Sequence, residues 1–329
     1  MTKILILSHR EVTDLLDMKG CISVMEQALA SLARGEMYQP LRTAAVPKQA
    51  SGLLGMMPSY KHGDSPMFGL KAVCVFPENS AKGLDSHQGG VLLFSGETGQ
   101  LLSLMDASAI TSIRTAAVSA VATKLLARQD ASELAIVGAG VQARAHLRAM
   151  SEVRHLKRAR VASLRYDNAR KFAEEMAQSV AFPITAVSSI EDAVREADLI
   201  VTSTTSREPV LKLEWLSPGA HLNVVGSSVK RDREIDAETM AAVKLFVDRR
   251  ESTLNESGEY LFAVREGAIG PDHILAEIGE LLIGQKHGRT SPWDITLFKS
   301  LGLAIEDLAS AEYLYGKARD TRAGNWVEF

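Results

Sequence analysis

Hydrophobic patterning divides the chain into two textures. Up to about residue 106, short alternating apolar runs are broken by turn residues. "MTKILILSHR" at the start reads as a strand. "KGCISVMEQALASLARG" (19–35) sets Ile22, Met25, Leu29 and Leu32 on one stripe, which predicts an amphipathic helix closed by Gly35. "FGLKAVCVF" (68–76) predicts a strand with Lys71, Val73 and Val75 on one face. "GGVLLFSGETGQLLSLMD" (89–106) predicts two strands around a glycine-containing turn. The alanine-rich run 108–127, free of Gly and Pro, predicts a long helix.

Beyond that helix, apolar runs at 134–137, 160–164, 199–201, 222–225 and 245–247 alternate with helical patterns such as 168–178 and 190–197. This alternation is the mark of βαβ units and a parallel sheet. A last helix is expected at about 300–319, placed either with that sheet or back on the first domain. No internal repeat or low-complexity tract interrupts the pattern.

Composition narrows the picture. A chain of 329 residues, 46% of them hydrophobic, has enough apolar material for two domains. A net charge of −3, without zinc-finger spacing or a basic helix, argues against a nucleic-acid partner. Two distant cysteines, Cys21 and Cys74, argue against a disulfide scaffold, and a CxxC redox or zinc motif is absent. The run 108–127 carries Arg114 and Lys124, which argues against a membrane span, and the first apolar run is too short for a signal segment. A soluble cytoplasmic protein is expected.

The first chemical motif is "VGAGVQA" (137–143). Gly138 and Gly140 follow a predicted strand and precede a predicted helix, with Ala143 third: G-x-G-x-x-A. The first glycine permits the tight turn, the second admits a pyrophosphate, and the small third residue lets helix and strand pack closely. The helix N-terminus then offers free N–H groups and partial positive charge. A ligand-free strand–helix turn is the alternative. The second strand should end in a ribose reader, and here "VASLRYDNARKF" has no acid at its tip, with Arg165 nearby and Asp167 beyond. The cofactor is therefore NAD or NADP, with the choice open.

Two cations of the first domain raise a second question. Arg114 sits mid-helix among apolar residues and needs either solvent or an anion, and Thr111 shares its face. Lys71 lies in an apolar strand with valines on its own face, a setting that suits proton transfer or carboxylate binding. The alternatives are a solvated arginine and an edge-strand lysine. The eight histidines show no metal-ligand spacing, so no metal is expected. His87, in "DSHQGG", follows a loop and is either a ligand contact or a surface group. Glu256 and Glu259 in "NESGEY" read as a capping or turn feature.

Taken together, these stretches resemble the ornithine cyclodeaminase/mu-crystallin family over nearly the whole chain. They include "MMPSY" (56–60), "GLKAV" (69–73), "SHQGGVLLF" (86–94), "ITSIRTAAVSA" (110–120), "ADLIVTSTTSREPVL" (197–211), "PGAHLNVVGSS" (218–228), "EIGELLIG" (277–284) and "TLFKSLGLAIEDL" (296–308). The resemblance implies an α/β architecture: a Rossmann doubly wound domain at 116–310 and an α+β substrate-binding and dimerisation domain at 1–115 and 311–329. It implies homodimerisation through the sheet of the latter. It assigns the substrate carboxylate to Arg42, Lys71 and Arg114, and cofactor contacts to Ser86, His87, Gly138, Ala139, Gly140, Val141, Gln142, Ala143, Thr204 and Ser300. Thr111, Arg114 and Arg165 are further candidates for the cofactor's phosphates.

Two departures from the family pattern bear on function. Ornithine cyclodeaminases carry an aspartate after the fifth sheet strand, where this chain has Ser228. Serine cannot bind an ammonium by charge or act as a carboxylate base, and ketimine reductases of the family also have serine there. Mu-crystallin shows Asn-Arg-Thr after its second strand; aligned through Asn168, its arginine and threonine fall on Leu164 and Arg165. The expected activity is NAD(P)H-dependent reduction of a 2-imino carboxylate to an L-amino acid. Lys71, or a water held by Ser228, is the expected proton relay. Ornithine or lysine cyclodeamination and a non-catalytic cofactor-binding protein are the alternatives.

Overall fold

The computed structural model describes residues 3–329, including the side chains of all but 77, 80 and 81. In chain order the elements begin β1 (Lys3–Leu7), α1 (His9–Leu15), α2 (Met18–Ala33), β2 (Met37–Tyr38), β3 (Thr43–Ala45), β4 (Leu53–Lys61), β5 (Met67–Val75), β6 (His87–Ser95), β7 (Leu101–Asp106) and α3 (Ala107–Leu126). An alternating series follows: β8 (Glu133–Val137), α4 (Val141–Val153), β9 (Arg158–Ala162), α5 (Tyr166–Met176), β10 (Ile184–Ala186), α6 (Ile190–Val194), β11 (Leu199–Thr202), β12 (His221–Val224), α7 (Ala237–Ala242) and β13 (Lys244–Val247). The chain ends with α8 (Arg250–Glu256), α9 (Gly258–Arg265), β14 (Ile274–Glu277), α10 (Ile278–Leu282), β15 (Thr296–Lys299), α11 (Ala304–Thr321) and β16 (Asn325–Glu328).

Two compact units result: Met1–Arg114 with Leu303–Phe329, and Thr115–Gly302. The chain returns to the first unit at Leu303, ahead of the 311 that the resemblance implied. The reason is that α11 packs against α2 and the strands β4, β5, β6 and β7 of the first unit. It also starts later than the expected 300, because β15 and a loop occupy residues up to Leu303.

The first unit is built on one eight-stranded sheet, ordered β16-β1-β7-β6-β5-β4-β2 with β3 added on β4. α2 starts on an Asp17 cap and ends at Gly35, whose φ of 75° is glycine territory. There the Glu36 and Gly35 N–H groups donate back to the Ser31 and Leu32 carbonyls, closing the helix end as the sequence predicts. α11 crosses β4, β5, β6 and β7. Gly69 of β5 lets it come close: a Cβ there would stand 3.0 Å from the Leu308 Cβ. Lys71, two residues along the same strand, faces the same way.

The second unit holds an eight-stranded sheet, all parallel, ordered β10-β9-β8-β11-β12-β15-β13-β14. Strand order reverses at β8, so the crevice outside the carboxyl ends of β8 and β11 is the switch point where such sheets bind ligands. β9 ends at Ala162 rather than the expected 164, so Leu164 and Arg165 lie beyond the strand. β10, β14 and β15 are not foreseen by the patterning.

α3 is, among the described residues, the one helix long and apolar enough to cross a membrane, but 67% of its most apolar window is buried inside the protein. Its carboxyl end is fastened by two arginines. Arg154 donates to the carbonyls of Thr123 (2.8 Å) and Ala127 (3.1 Å), and Arg289 Nε donates to that of Leu126 (2.7 Å). Both cations meet the negative end of the helix dipole.

Candidate active site

In the first unit, β5, α3 and α11 bring charged side chains into an apolar interior. Lys71 and Arg114 are each only 4% exposed, so neither is a solvated side chain. Their anions come from the chain itself. Lys71 Nζ lies 2.8 Å from Asp307 Oδ2, and Arg114 reaches Glu306 Oε2 at 2.7 Å and Asp307 Oδ1 at 3.2 Å. Lys71 also donates to Thr111 Oγ1 at 3.5 Å. Glu306 and Asp307 occupy the first turn of α11, where the helix dipole favours negative charge.

Burial pulls the Lys71 pKa down to about 8; Asp307 opposes the fall, while Arg114 and Arg42 add to it. Arg42 is half-buried and close enough to act on Lys71 through its charge. The structure thus groups Arg42, Lys71, Thr111 and Arg114. Ser86 and His87 adjoin the same unit's β6, with Ser86 Oγ 3.0 Å from His87 Nδ1. Partial withdrawal from water, then the Lys71 charge, hold the imidazole of His87 below its ordinary range, with Asp85 opposing. Under these charges Cys21 is sealed in the core, its thiol pushed up to about 12 by burial.

In the second unit, the glycine turn has the shape its spacing predicts. Gly138 has φ 110°, and a Cβ on it would stand 2.6 Å from the Ser203 carbonyl oxygen. Only glycine fits there. Gly140 is the N-cap of α4, with no side chain capping the helix and no protein atom within 4 Å of where its Cβ would be. Ala143 is fully buried against the sheet. Ala139, Val141 and Gln142 complete an uncapped helix start with open space before it, which fits a pyrophosphate. Arg144 pins the turn from below, donating to the Ala139 carbonyl at 2.6 Å.

Other expected cofactor residues have mixed settings. Arg165 is the N-cap residue of α5 and is exposed, next to a fully exposed Leu164. Ser300 is buried and donates its N–H to the Val224 carbonyl (3.2 Å). The Thr204 hydroxyl donates to Glu234 at 2.8 Å. Ser228 stands exposed on the loop after β12. Glu256 ends α8, and Glu259 is not a surface turn residue but a buried partner of Lys299 (3.2 Å).

Sequence reasoning missed Glu306 and Asp307. Their signal was present: two adjacent acids in the first turn of an apolar helix require cations, and Lys71 and Arg114 require anions.

Comparison with known proteins places the chain in a family. The profile of the ornithine cyclodeaminase/mu-crystallin family matches residues 2–322. Ketimine reductase mu-crystallin of Mus musculus is 41% identical over 313 residues, covering 94% of this chain and 96% of that protein. The structure of Thermococcus litoralis Δ1-pyrroline-2-carboxylate reductase in complex with NADH and L-proline superposes with a TM-score of 0.95 at 42% identity, covering 98% of this chain and 100% of the other. An archaeal alanine dehydrogenase dimer with bound NAD gives a TM-score of 0.93 at 34% identity, covering 100% of both chains. The chain belongs to the ornithine cyclodeaminase/mu-crystallin family, and is an NAD(P)-dependent oxidoreductase that acts on carbon–nitrogen bonds of imino acids.

Proposed function

We propose that the protein reduces the C=N bond of a small 2-imino carboxylate, such as Δ1-pyrroline-2-carboxylate or the imine of a 2-oxo acid, to an L-amino acid. The observation that carries this reading is the buried cluster of Lys71 and Arg114 on Asp307 and Glu306. Arg42, Lys71 and Arg114 hold the substrate carboxylate and so fix the imine carbon. Orientation of this kind is worth roughly 7–11 kcal/mol of barrier. Bound nicotinamide supplies the hydride; Gly138–Ala143 receive its diphosphate, with Thr204 and Ser300 as further contacts.

The imine nitrogen must carry a proton to accept hydride readily. Lys71, with a pKa near 8, is mostly protonated at neutral pH yet releases its proton far more easily than an ordinary lysine. Asp307 orients that ammonium and stabilises its charge. The alternative donor is a water held by Ser228, which is exposed on its loop. Cyclodeamination of ornithine is disfavoured, because Ser228 offers no negative charge to a distal ammonium.

A homodimer follows from the first unit's sheet. α11 covers one face; the other carries Leu54, Met56, Phe68, Leu70, Leu92 and Leu104 in register, with Phe68 47% exposed. A face this apolar needs a cover, and a second copy would supply one; the archaeal alanine dehydrogenase of the same fold is a dimer. The two free cysteines suit a reducing cytoplasm.

The test is turnover of NADH and NADPH with a panel of 2-imino acids, alongside ammonia release from ornithine and lysine. Imine-dependent oxidation supports the reading. Ammonia release without it establishes cyclodeamination, and tight cofactor binding without turnover establishes a binding protein.

A further inference from the structure

Glu234 is wholly buried at the carboxyl ends of β11 and β12. Each of its carboxylate oxygens accepts two hydrogen bonds. Oε1 takes the Thr204 N–H (2.7 Å) and the Thr204 hydroxyl (2.8 Å). Oε2 takes the Thr202 hydroxyl (2.7 Å) and the Gly226 N–H (2.7 Å). Gly226 makes the close approach possible: a Cβ on it would collide with the Glu234 carboxylate and the Thr204 carbonyl.

A second layer holds Glu234 in turn. Its N–H donates to Glu259 Oε1 (3.3 Å), while Glu259 Oε2 accepts from Ser257 (3.1 Å) and pairs with Lys299. Lys299 Nζ also donates to the Ser227 carbonyl at 2.6 Å. Two buried acids and a buried lysine therefore stitch the turns after β11 and β12 together. Apolar packing serves stability at least as well as buried charge does, so stability alone does not account for this arrangement. Four donors meeting at one group do: only an ionised carboxylate accepts them all, and an amide in its place turns an N–H₂ toward two of them.

We propose that Glu234 is a positioning residue for the cofactor, fixing the Thr204 and Gly226 backbones that border the crevice of the second unit. This rests on the reading that the crevice takes a nicotinamide dinucleotide. The groups facing Glu234 are Thr202 and Thr204 of β11 and its loop, Gly226 after β12, Glu259 of α9 and Lys299 of β15. Burial raises the carboxyl above its ordinary range, with Lys299 opposing and Glu259 adding. Acid therefore protonates Glu234, removes an acceptor and loosens the two turns.

The experiment is a fluorescence titration of the full-length protein with NADH or NADPH, whichever the wild type binds more tightly, across pH. The variants are Glu234→Gln and Thr202→Val. Glu234→Gln is expected to weaken binding about 10–100-fold, because donors at the crevice edge lose their acceptor, and to lack the acid-side weakening that the wild type shows. Thr202→Val, which removes one donor and keeps the charge, is expected to weaken binding less and to retain that pH dependence. KM for the imine at saturating cofactor stays near the wild-type value. A folded Glu234→Gln that binds cofactor as the wild type does, or keeps its pH dependence, overturns the proposal. If Glu234→Gln does not fold, Thr202→Val decides: unchanged affinity overturns, weakened affinity at unchanged Tm supports. A wild type that binds neither dinucleotide overturns the underlying cofactor reading, and this proposal with it.

Discussion

Lys71 and Asp307 meet at 2.8 Å with only 4% and 1% of their side chains exposed. One lies in β5 and the other in the first turn of α11, 236 positions later by their numbers (307 − 71). The pair explains how a lysine is tolerated in an apolar strand. Asp307→Asn removes the anion paired with Lys71 and leaves the cations of Arg114 and Arg42 acting on it. Breaking a buried pair in this way costs about 3–5 kcal/mol, and Lys71 is expected to lose its proton below pH 8. Chemical denaturation and the pH dependence of kcat/KM measure the two effects, and a basic limb that stays in place contradicts the pairing.

Lys71 itself sets the basic limb in the wild type. The amine carries its proton below its folded pKa of about 8 and loses it above, so kcat/KM for the imine is expected to fall as pH rises through that value. Lys71→Met is expected to lower kcat about 10²–10⁴-fold, the range for a lost general acid. Lys71→Arg does not rescue it, because a guanidinium keeps its proton. A pH profile with no limb near 8 separates Lys71 from proton transfer.

The two glycines of the phosphate turn predict opposite failures. Gly138→Ala meets the Ser203 carbonyl and an unfavourable φ, so it destabilises the fold. At Gly140 an added Cβ meets nothing within 4 Å, so Gly140→Val is expected to find room. Its Tm is expected to stay within a few degrees of wild type, while cofactor affinity drops at least about tenfold because the side chain fills the space a pyrophosphate needs. Unchanged affinity in folded Gly140→Val places the diphosphate elsewhere.

Much of this was legible in the sequence, for physical reasons. The glycine turn is a local steric demand, and its spacing carries it. Lys71 and Arg114 stood out because charge among apolar residues needs a partner. Glu306, Asp307, Glu234 and Lys299 did not, since their partners lie on strands and helices far away in the chain. β10, with three residues, is too short for a period to register, and β14 (Ile274–Glu277) ends on a charged residue and runs straight into α10, so no separate apolar run marks it. β9 was displaced because "VASL" continues an apolar run after the backbone has left the sheet.

Acid stability depends on two buried histidines. His146, held between the Gln142 carbonyl (2.8 Å) and Ser119 Oγ (2.9 Å), is pulled down to about 4, and His221 to about 3, both chiefly by burial. Their stabilising contribution is complete above the unfolded value of 6.5 and is lost as pH falls toward these folded values. Between pH 6 and 4 each contributes a slope of up to about 1.4 kcal/mol per pH unit. Urea midpoints are expected to fall steeply over this range in the wild type and less steeply in His146→Gln; equal slopes contradict the assignment.

The open sheet face predicts that Phe68→Glu converts a dimer to a monomer in sedimentation velocity, with the fold retained by circular dichroism. Wild-type protein that is already monomeric at micromolar concentration leaves that face without a second copy to cover it.

One assay addresses the central claim most directly: NAD(P)H oxidation with Δ1-pyrroline-2-carboxylate compared with 1-pyrroline, the same ring without its acid group. A site that holds that acid through Arg42, Lys71 and Arg114 is expected to reduce the carboxylate at least about 10²-fold faster in kcat/KM, because the analogue forgoes those charge-assisted hydrogen bonds. Equal rates for the two imines, or no oxidation with any 2-imino carboxylate, would contradict the account.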